Sequence, residues 1–234
     1  MGAIFKRELS AYFQSPLGYV FVAVYYLFAG FFFFNYNLYN NTTDLRPLFD
    51  LLFSVTIFLI PILTMRLMSE ERKSKTDQLL LMAPVTATGI VLAKFFAAAI
   101  VYLAAMSITL VMAGVLSIYA PPQWPVVLGH FIGLLLLGAA LIAVGLLLSS
   151  LTENQIIAAV GGFCAGFFLM LLDALAGVIS NPFLAGLVTN LSFYTRYQNF
   201  TLGMLDFSDL VFFTSLTALF LFFSVAVFEH RRLS

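Results

Sequence analysis

The chain has 234 residues, of which 62% are hydrophobic and only 9% charged, with a formal net charge of zero and a mean hydropathy of +1.03. Such a composition excludes a water-soluble domain with a shielded core and indicates a protein that crosses a membrane several times. A single cysteine, Cys164, rules out an internal disulfide and a cysteine-based metal site.

At the N-terminus Phe5, Leu9, Tyr12 and Phe13 recur at helical spacing among Lys6, Arg7, Ser10 and Gln14. An amphipathic helix over residues 1–15 is therefore predicted, lying in the membrane interface and set off by Pro16. Lys6 and Arg7 before an apolar run imitate a secretion signal. That run is long, however, and ends in Phe31-Phe32-Phe33-Phe34-Asn35 with no small-residue cleavage pattern, so it reads as a retained first span. Six apolar segments reach the roughly 20 residues needed to cross the hydrocarbon layer. They fall near 17–34, 48–65, 89–118, 126–149, 155–180 and 209–228. Runs this uniformly apolar, without period-2 alternation, select helices over a barrel. The expected fold class is all-α: one polytopic membrane domain with six transmembrane helices. Pro61 is expected to kink the second span, and the third, longer than it needs to be, tilts or begins in the cytoplasm beside Lys94. Gly129 with Gly133, and Gly162 with Gly166, form small-residue pairs that allow close helix approach, most simply within the chain.

Of the basic residues, Lys6, Arg7, Arg66, Arg72, Lys73, Lys75, Lys94, Arg231 and Arg232 fall on one side of a six-span arrangement, and only Arg46 and Arg196 on the other. Basic residues stay on the cytoplasmic side, which places both termini and the loop after span two there.

That loop is the most charged part of the chain. Arg66 to Asp77 holds seven of the 22 charges in twelve positions. Thr76 can cap a short following helix with Asp77 in its first turn, and Pro84 ends it. Leu79, Leu80 and Met82 would give that helix an apolar face. Solvation explains the charges but not the leucines, and an apolar patch beside charges on a cytoplasmic loop marks a docking surface.

The stretch from Met65 to Phe96 (MRLMSEERKSKTDQLLLMAPVTATGIVLAKFF) resembles the segment between spans two and three of ABC-2 type permeases, the membrane subunits of ATP-binding-cassette transporters. LLSSLTENQIIAA at the turn between spans four and five, and the run from Tyr194 to Arg232 with Gly203, Asp206 and Asp209, look like the same family. The nearest subgroup is that of the compact gliding-motility and copper-enzyme-maturation permeases. The resemblance implies that the loop after span two, Glu70 to Pro84, is a coupling helix seated in a groove of a cytoplasmic ATPase. Glu70, Glu71, Arg72, Thr76, Asp77, Leu79, Leu80 and Pro84 are its candidate residues. It implies that the N-terminal helix is an interfacial elbow, and that residues 181–208 form an outer cap. Asp173, Arg196, Gly203 and Asp206 are the candidates for gating or capping there. The family often carries Gly where this chain has Lys75, and Glu where it has Gln78. The implied partners are two copies of the ATPase, which hold ATP and magnesium, a second permease half of the same or a related kind, an accessory envelope protein and membrane lipid. Nucleic acid is not among them. The implied location is the inner membrane of a bacterium.

The residues themselves agree with that division of labour. Neither Lys73-Ser74 nor Lys75-Thr76 follows the glycines a phosphate-cradling loop requires, so no ATP hydrolysis and no cofactor is expected of this chain. His130 and His230 fall at opposite faces, Glu70 and Glu71 are adjacent and so diverge on a helix, and the serines at 149 and 150 lack a nearby histidine. Asp173 is the one acidic residue well inside an apolar run, a functional candidate by default. It lies roughly 27 Å along its span at about 1.5 Å per residue, near the outer headgroups, where a solvated carboxylate is the plainer reading. Three functions compete. An ABC permease half, exporting a hydrophobic or lipid-linked molecule, is favoured over a non-transporting scaffold. A secondary transporter would call for midplane ionisable groups or broken helices, of which the chain shows little.

Overall fold

The computed structural model describes residues 2–75, 85–176, 178, 181–201 and 206–233, and every regular element among them is a helix. In chain order these are α1 (Gly2–Gln14), α2 (Pro16–Phe33, extended by a π-helical stretch, Phe34–Leu38), α3 (Arg46–Thr64) and α4 (Ser69–Lys73). Then come α5 (Ala87–Tyr119), α6 (Trp124–Leu151), α7 (Gln155–Ala176), α8 (Pro182–Leu191), α9 (Phe193–Thr201) and α10 (Phe207–Leu233). Six stretches, carried by α2, α3, α5, α6, α7 and α10, are long and apolar enough to cross a membrane. The all-α polytopic class expected from the sequence is thus the one observed.

The centre of the bundle is α6, which packs against α3, α5, α7, α9 and α10. Leu134, Leu137, Ala140, Ile142, Ala143 and Leu146 are all fully buried, so this helix is apolar on every side because it has protein on every side. On α2, α7 and α10 large apolar side chains face outward, among them Tyr19, Leu27 and Phe31, Ile156 and Phe168, and Phe222. Where lipid replaces water as solvent such exposure carries no penalty, and the backbone, not the side chains, dictates the helical form.

Close helix approach is set by glycine, at more positions than the paired spacings suggest. Gly162 and Gly166 pack against Pro61 and Ile57 of α3, where an added Cβ would stand 2.9 Å from the Pro61 ring and 2.8 Å from Ile57 Cγ2. The Ile57 carbonyl is the one that Pro61 deprives of its usual helical donor. Gly133 faces Tyr197 and Phe200 of α9, with a Cβ 3.1 Å from both rings. These glycines work within the chain, as expected.

Two further glycines on α6, seven apart, were not evident from spacing. Gly145 lies against Thr64 of α3, and Gly138 against the ring of Tyr102 of α5. That ring cannot retreat, because the Tyr102 hydroxyl donates to the Leu134 carbonyl at 3.0 Å and lies 3.3 Å from Thr56 Oγ1. A methyl at Gly138 would overlap the edge of that ring, at Cε1. Gly138→Ala should therefore destabilise the bundle by about 1–3 kcal/mol, the cost of overpacking a filled core, seen as a lowered unfolding temperature in detergent. An alanine variant as stable as the parent would show that α5 and α6 can part without loss.

The helix ends sort into two layers. One holds α1, the segment Met65 to Lys75, the start of α5, the turn Leu151 to Gln155 and the end of α10. The other holds the π-helical stretch, the start of α3, the end of α5 and α8 with α9. An even number of spans follows from the contacts, and the charge asymmetry read from the sequence coincides with the first layer.

Candidate functional site

The densest polar cluster lies in that first layer and is built on α1, α4 and the base of α5. Helix α1 turns its apolar side, with Phe5, Leu9 and Tyr12, onto the protein and packs along α5. Gly18 makes the sharp turn into α2 feasible: a Cβ there would stand 2.6 Å from the Tyr12 carbonyl oxygen. The Tyr12 hydroxyl donates to the Leu63 carbonyl at 2.9 Å, and burial pushes its pKa far up, so it remains a neutral donor. The Arg66 guanidinium sits 5.9 Å from its ring centroid and donates to Ser15 Oγ at 2.8 Å.

Four charges interlock beneath this corner. Lys94 is 1% exposed, and its Nζ meets Glu71 Oε2 at 2.9 Å and Glu8 Oε2 at 3.1 Å. The Arg7 guanidinium closes the ring at 2.6 Å from Glu8 Oε1 and 2.7 Å from Glu71 Oε1. Burial lowers the Arg7 pKa, but the hydrogen bonds and charges of Glu8 and Glu71 outweigh it and hold the group above its ordinary value. A cleft of about 320 Å³ opens beside this cluster, bordered by Arg66, Glu70 and Ser74 as well.

Helix α4 hangs between that cluster and α6. The chain leaves α3 at Thr64 and turns through Met65 to Met68 before α4 begins, with no side chain of its own capping the new helix. Ser149 of α6 supplies the cap: its Oγ accepts from the backbone N–H of Met68 at 3.0 Å and of Ser69 at 3.1 Å, and donates to the Met65 carbonyl at 3.0 Å. Ser69 Oγ returns to the Met65 carbonyl as well. On the outer side of α4, Arg72 donates to the Ser150 carbonyl at 3.3 Å and pairs with Glu153 at 3.2 Å, while Arg231 of α10 donates to the same carbonyl at 2.5 Å. Two cations thus meet the negative end of the α6 dipole. Ser149→Ala would leave two buried N–H groups without an acceptor, and should cost about 1–3 kcal/mol. Faster hydrogen exchange confined to Met65–Lys73 would report it, and unchanged exchange there would contradict this capping role.

Glu70, Glu71 and Arg72 therefore part company. Glu70 is exposed and pairs with Arg66 at 2.9 Å, Glu71 turns inward to Lys94, and Arg72 reaches across to α6. Lys73 and Lys75 face solvent. Thr76, Asp77, Leu79, Leu80 and Pro84 lie outside the described residues. Lys75 has a φ of 55°, the left-handed region that glycine prefers, immediately after the Ser74 C-cap of α4. A lysine here departs from the residue the backbone favours. Lys75→Gly should raise stability by roughly 0.5–1 kcal/mol. The check is the unfolding temperature, which a strained lysine requires to rise and an unstrained one would leave or lower.

A second cluster occupies the opposite layer. Arg196 of α9 donates from Nη1 to Asp209 Oδ1 at 2.8 Å and to Ser208 Oγ at 3.0 Å, and from Nε to the Asn190 carbonyl at 3.1 Å. Asn199 fills the other carboxylate oxygen of Asp209 at 2.7 Å, and the Arg196 guanidinium lies 4.7 Å from the Phe212 ring centroid. Asp206 is exposed and caps α10, its Oδ1 accepting from the Ser208 N–H at 3.0 Å. One turn further in, Tyr197 reaches His130 Nδ1 at 3.1 Å, and His130 stacks on Phe49 at 4.6 Å between centroids. Asp173 lies in the last turn of α7 with its side chain outside the described residues, as is the whole of Gly203. Arg196 and Asp206 are thus brought to one helix start.

Lys94, Glu8, Ser149 and Asp209 were not singled out as site residues from sequence. Lys94 carried a signal nonetheless: it is a lysine embedded in an apolar run, and such a charge requires a partner. Asp209 faces Arg196, one of only two basic residues on its side. Among the described residues no group of three or more His, Cys, Asp or Glu side chains is placed to hold a metal ion.

A family model described as ABC-2 family transporter protein matches residues 14–169, from the end of α1 into α7. A search of the curated proteins gives no match. The matched stretch includes Glu70, Glu71, Arg72, Lys94 and Ser149, while α8, α9 and α10 lie beyond it.

Proposed function

The chain belongs to the ABC-2 family of transporter proteins, and from that premise we propose that it is one half of an exporter's membrane pathway. It is driven by a separate cytoplasmic ATPase that docks on the segment after span two. Support comes from the construction of that segment. Helix α4 has only five residues, too few to be stable by itself, yet it is fastened on one side to α1 and α5 through Glu71 and on the other to α6 through Ser149 and through Arg72, which shares the Ser150 carbonyl with Arg231 of α10. A push on α4 is therefore felt directly by three other helices. A loop that only joined two spans has no use for such fastening.

In this reading the basic layer faces the cytoplasm, both termini lie there, and ATP with magnesium is bound by the partner. Six spans supply half a pathway, and a second copy or a related permease completes it. The segment with α8 and α9 covers the outer end. The cargo is a hydrophobic or lipid-linked molecule, in keeping with small outer loops that give a soluble binding protein nothing to hold. Purification of the tagged chain from its native membrane in mild detergent tests the reading. An ATPase subunit in stoichiometric amount is the expected result, with two permease halves per complex. A chain that emerges with no ATPase under any mild detergent would contradict it.

A further inference from the structure

We propose that Lys94 is a positioning residue that makes α1, α4 and the base of α5 one moving body, so that displacement of α4 is passed to the N-terminal helix and to span three. This rests on the coupling role proposed above for the segment after span two. Glu8, Glu71 and Lys94 come from three elements far apart in sequence, and both carboxylates converge on one fully buried ammonium at 3.1 Å and 2.9 Å. Arg7 bridges the other oxygens of the same carboxylates. Both oxygens of each carboxylate are thereby engaged, which fixes orientation as well as distance.

Buried ion pairs contribute little net stability over well-packed neutral groups, and their attested use is to select one geometry among several. Here the geometry selected is the register of α1 against α4. Helix α1 already packs along α5 and is tied to the end of α3 through Tyr12 and the Leu63 carbonyl. Without Lys94 its only charged link to α4 among the described residues is the half-exposed Arg7–Glu71 pair, so the buried ammonium is what anchors that link to the base of α5. The fastening of α4 to α6 through Ser149 is neutral and local, and it leaves the α1 side free.

The complex with its ATPase tests the proposal, comparing the parent with a variant carrying Glu8→Gln, Glu71→Gln and Lys94→Met together. No buried charge is left unpaired in that variant, and Arg7 is half-exposed and stays hydrated. The variant is expected to unfold near the parent temperature and to retain the ATPase. Permease-dependent stimulation of ATP hydrolysis should fall about fivefold or more, the lower end of an ordinary coupling free energy. Parent-level stimulation overturns the proposal, and so does loss of the ATPase itself, which would make the cluster a docking element. If the triple variant does not fold, spin labels on Lys6→Cys and Lys73→Cys in a Cys164→Ala background decide. The distance between them should stay the same with and without nucleotide, and a change beyond about 5 Å, one helical turn, overturns the proposal. A parent chain that holds no ATPase at all sinks the coupling role first and this inference with it.

Discussion

Replacing Lys94 alone with methionine should lower the unfolding free energy by about 3–5 kcal/mol, the cost of breaking a buried ion pair by removing one partner. The reason lies in what remains. Glu8 and Glu71 would still face the same pocket, with side chains only 12% and 16% exposed, and Arg7 alone would have to balance both. The sign of the effect reverses the usual expectation for a membrane protein, in which exchanging a charge for a methionine near an apolar core stabilises. Adding Glu8→Gln and Glu71→Gln to Lys94→Met should recover most of the loss, since no buried charge is then without a partner. Unfolding in a denaturant series in detergent measures both. A single variant as stable as the parent would show that the ammonium is not held as a buried ion.

Arg196→Met is expected to produce a loss of similar size, about 3–5 kcal/mol, at the opposite end of the bundle. Among the described residues it leaves the Asp209 carboxylate, 2% exposed, with only the Asn199 amide. It also removes the donor to Ser208 and to the Asn190 carbonyl, and the cation over the Phe212 ring. Those contacts are the polar join between α9 and α10, so cleavage of the segment around α8 and α9 by an added protease should quicken in the variant. Asp209→Asn, which keeps a hydrogen-bond acceptor for Arg196 and removes the buried charge, should cost clearly less. Equal losses for the two variants would contradict a role for the buried carboxylate.

The fold class was legible because a bilayer leaves a chain of this composition few options. The backbone must pair with itself, and six uniformly apolar segments of sufficient length have one solution. The gathering of the basic residues in one layer of helix ends was legible from their spacing in a six-span arrangement. What the sequence could not disclose is which charges meet. Glu71 stood out as one of a charged run suited to contact with a partner, whereas its side chain turns inward to Lys94, some distance away along the chain and on another helix. Ser149 offered no hint, because its role depends on α3 ending one turn before α4 at the foot of α6. The glycine pairs at a four-residue spacing pointed to α6 and α7, and Gly133 does receive α9 and Gly162 and Gly166 do receive α3 there. The contacts at Gly138 and Gly145 follow a seven-residue spacing that no short motif marks. Lys75 is the converse case: the family's preference for glycine at that position was known from resemblance, and the left-handed backbone supplies its cause.

Among the described residues of the two polar clusters, carboxylate meets cation and the Tyr12 hydroxyl meets a carbonyl, in the manner of groups that hold helices in place. His130, the one buried histidine, is engaged by Tyr197 and Phe49.

The docking of an ATPase on the segment around α4 is tested most directly by a cross-link. Lys73→Cys, in a Cys164→Ala background, is labelled with a short photoactivatable reagent in native membranes, and Tyr119→Cys at the opposite end of α5 is labelled in parallel. Both positions are exposed. The account predicts an adduct with the ATPase subunit from position 73 and none from position 119. No adduct from position 73, or equal adducts from both, would contradict it.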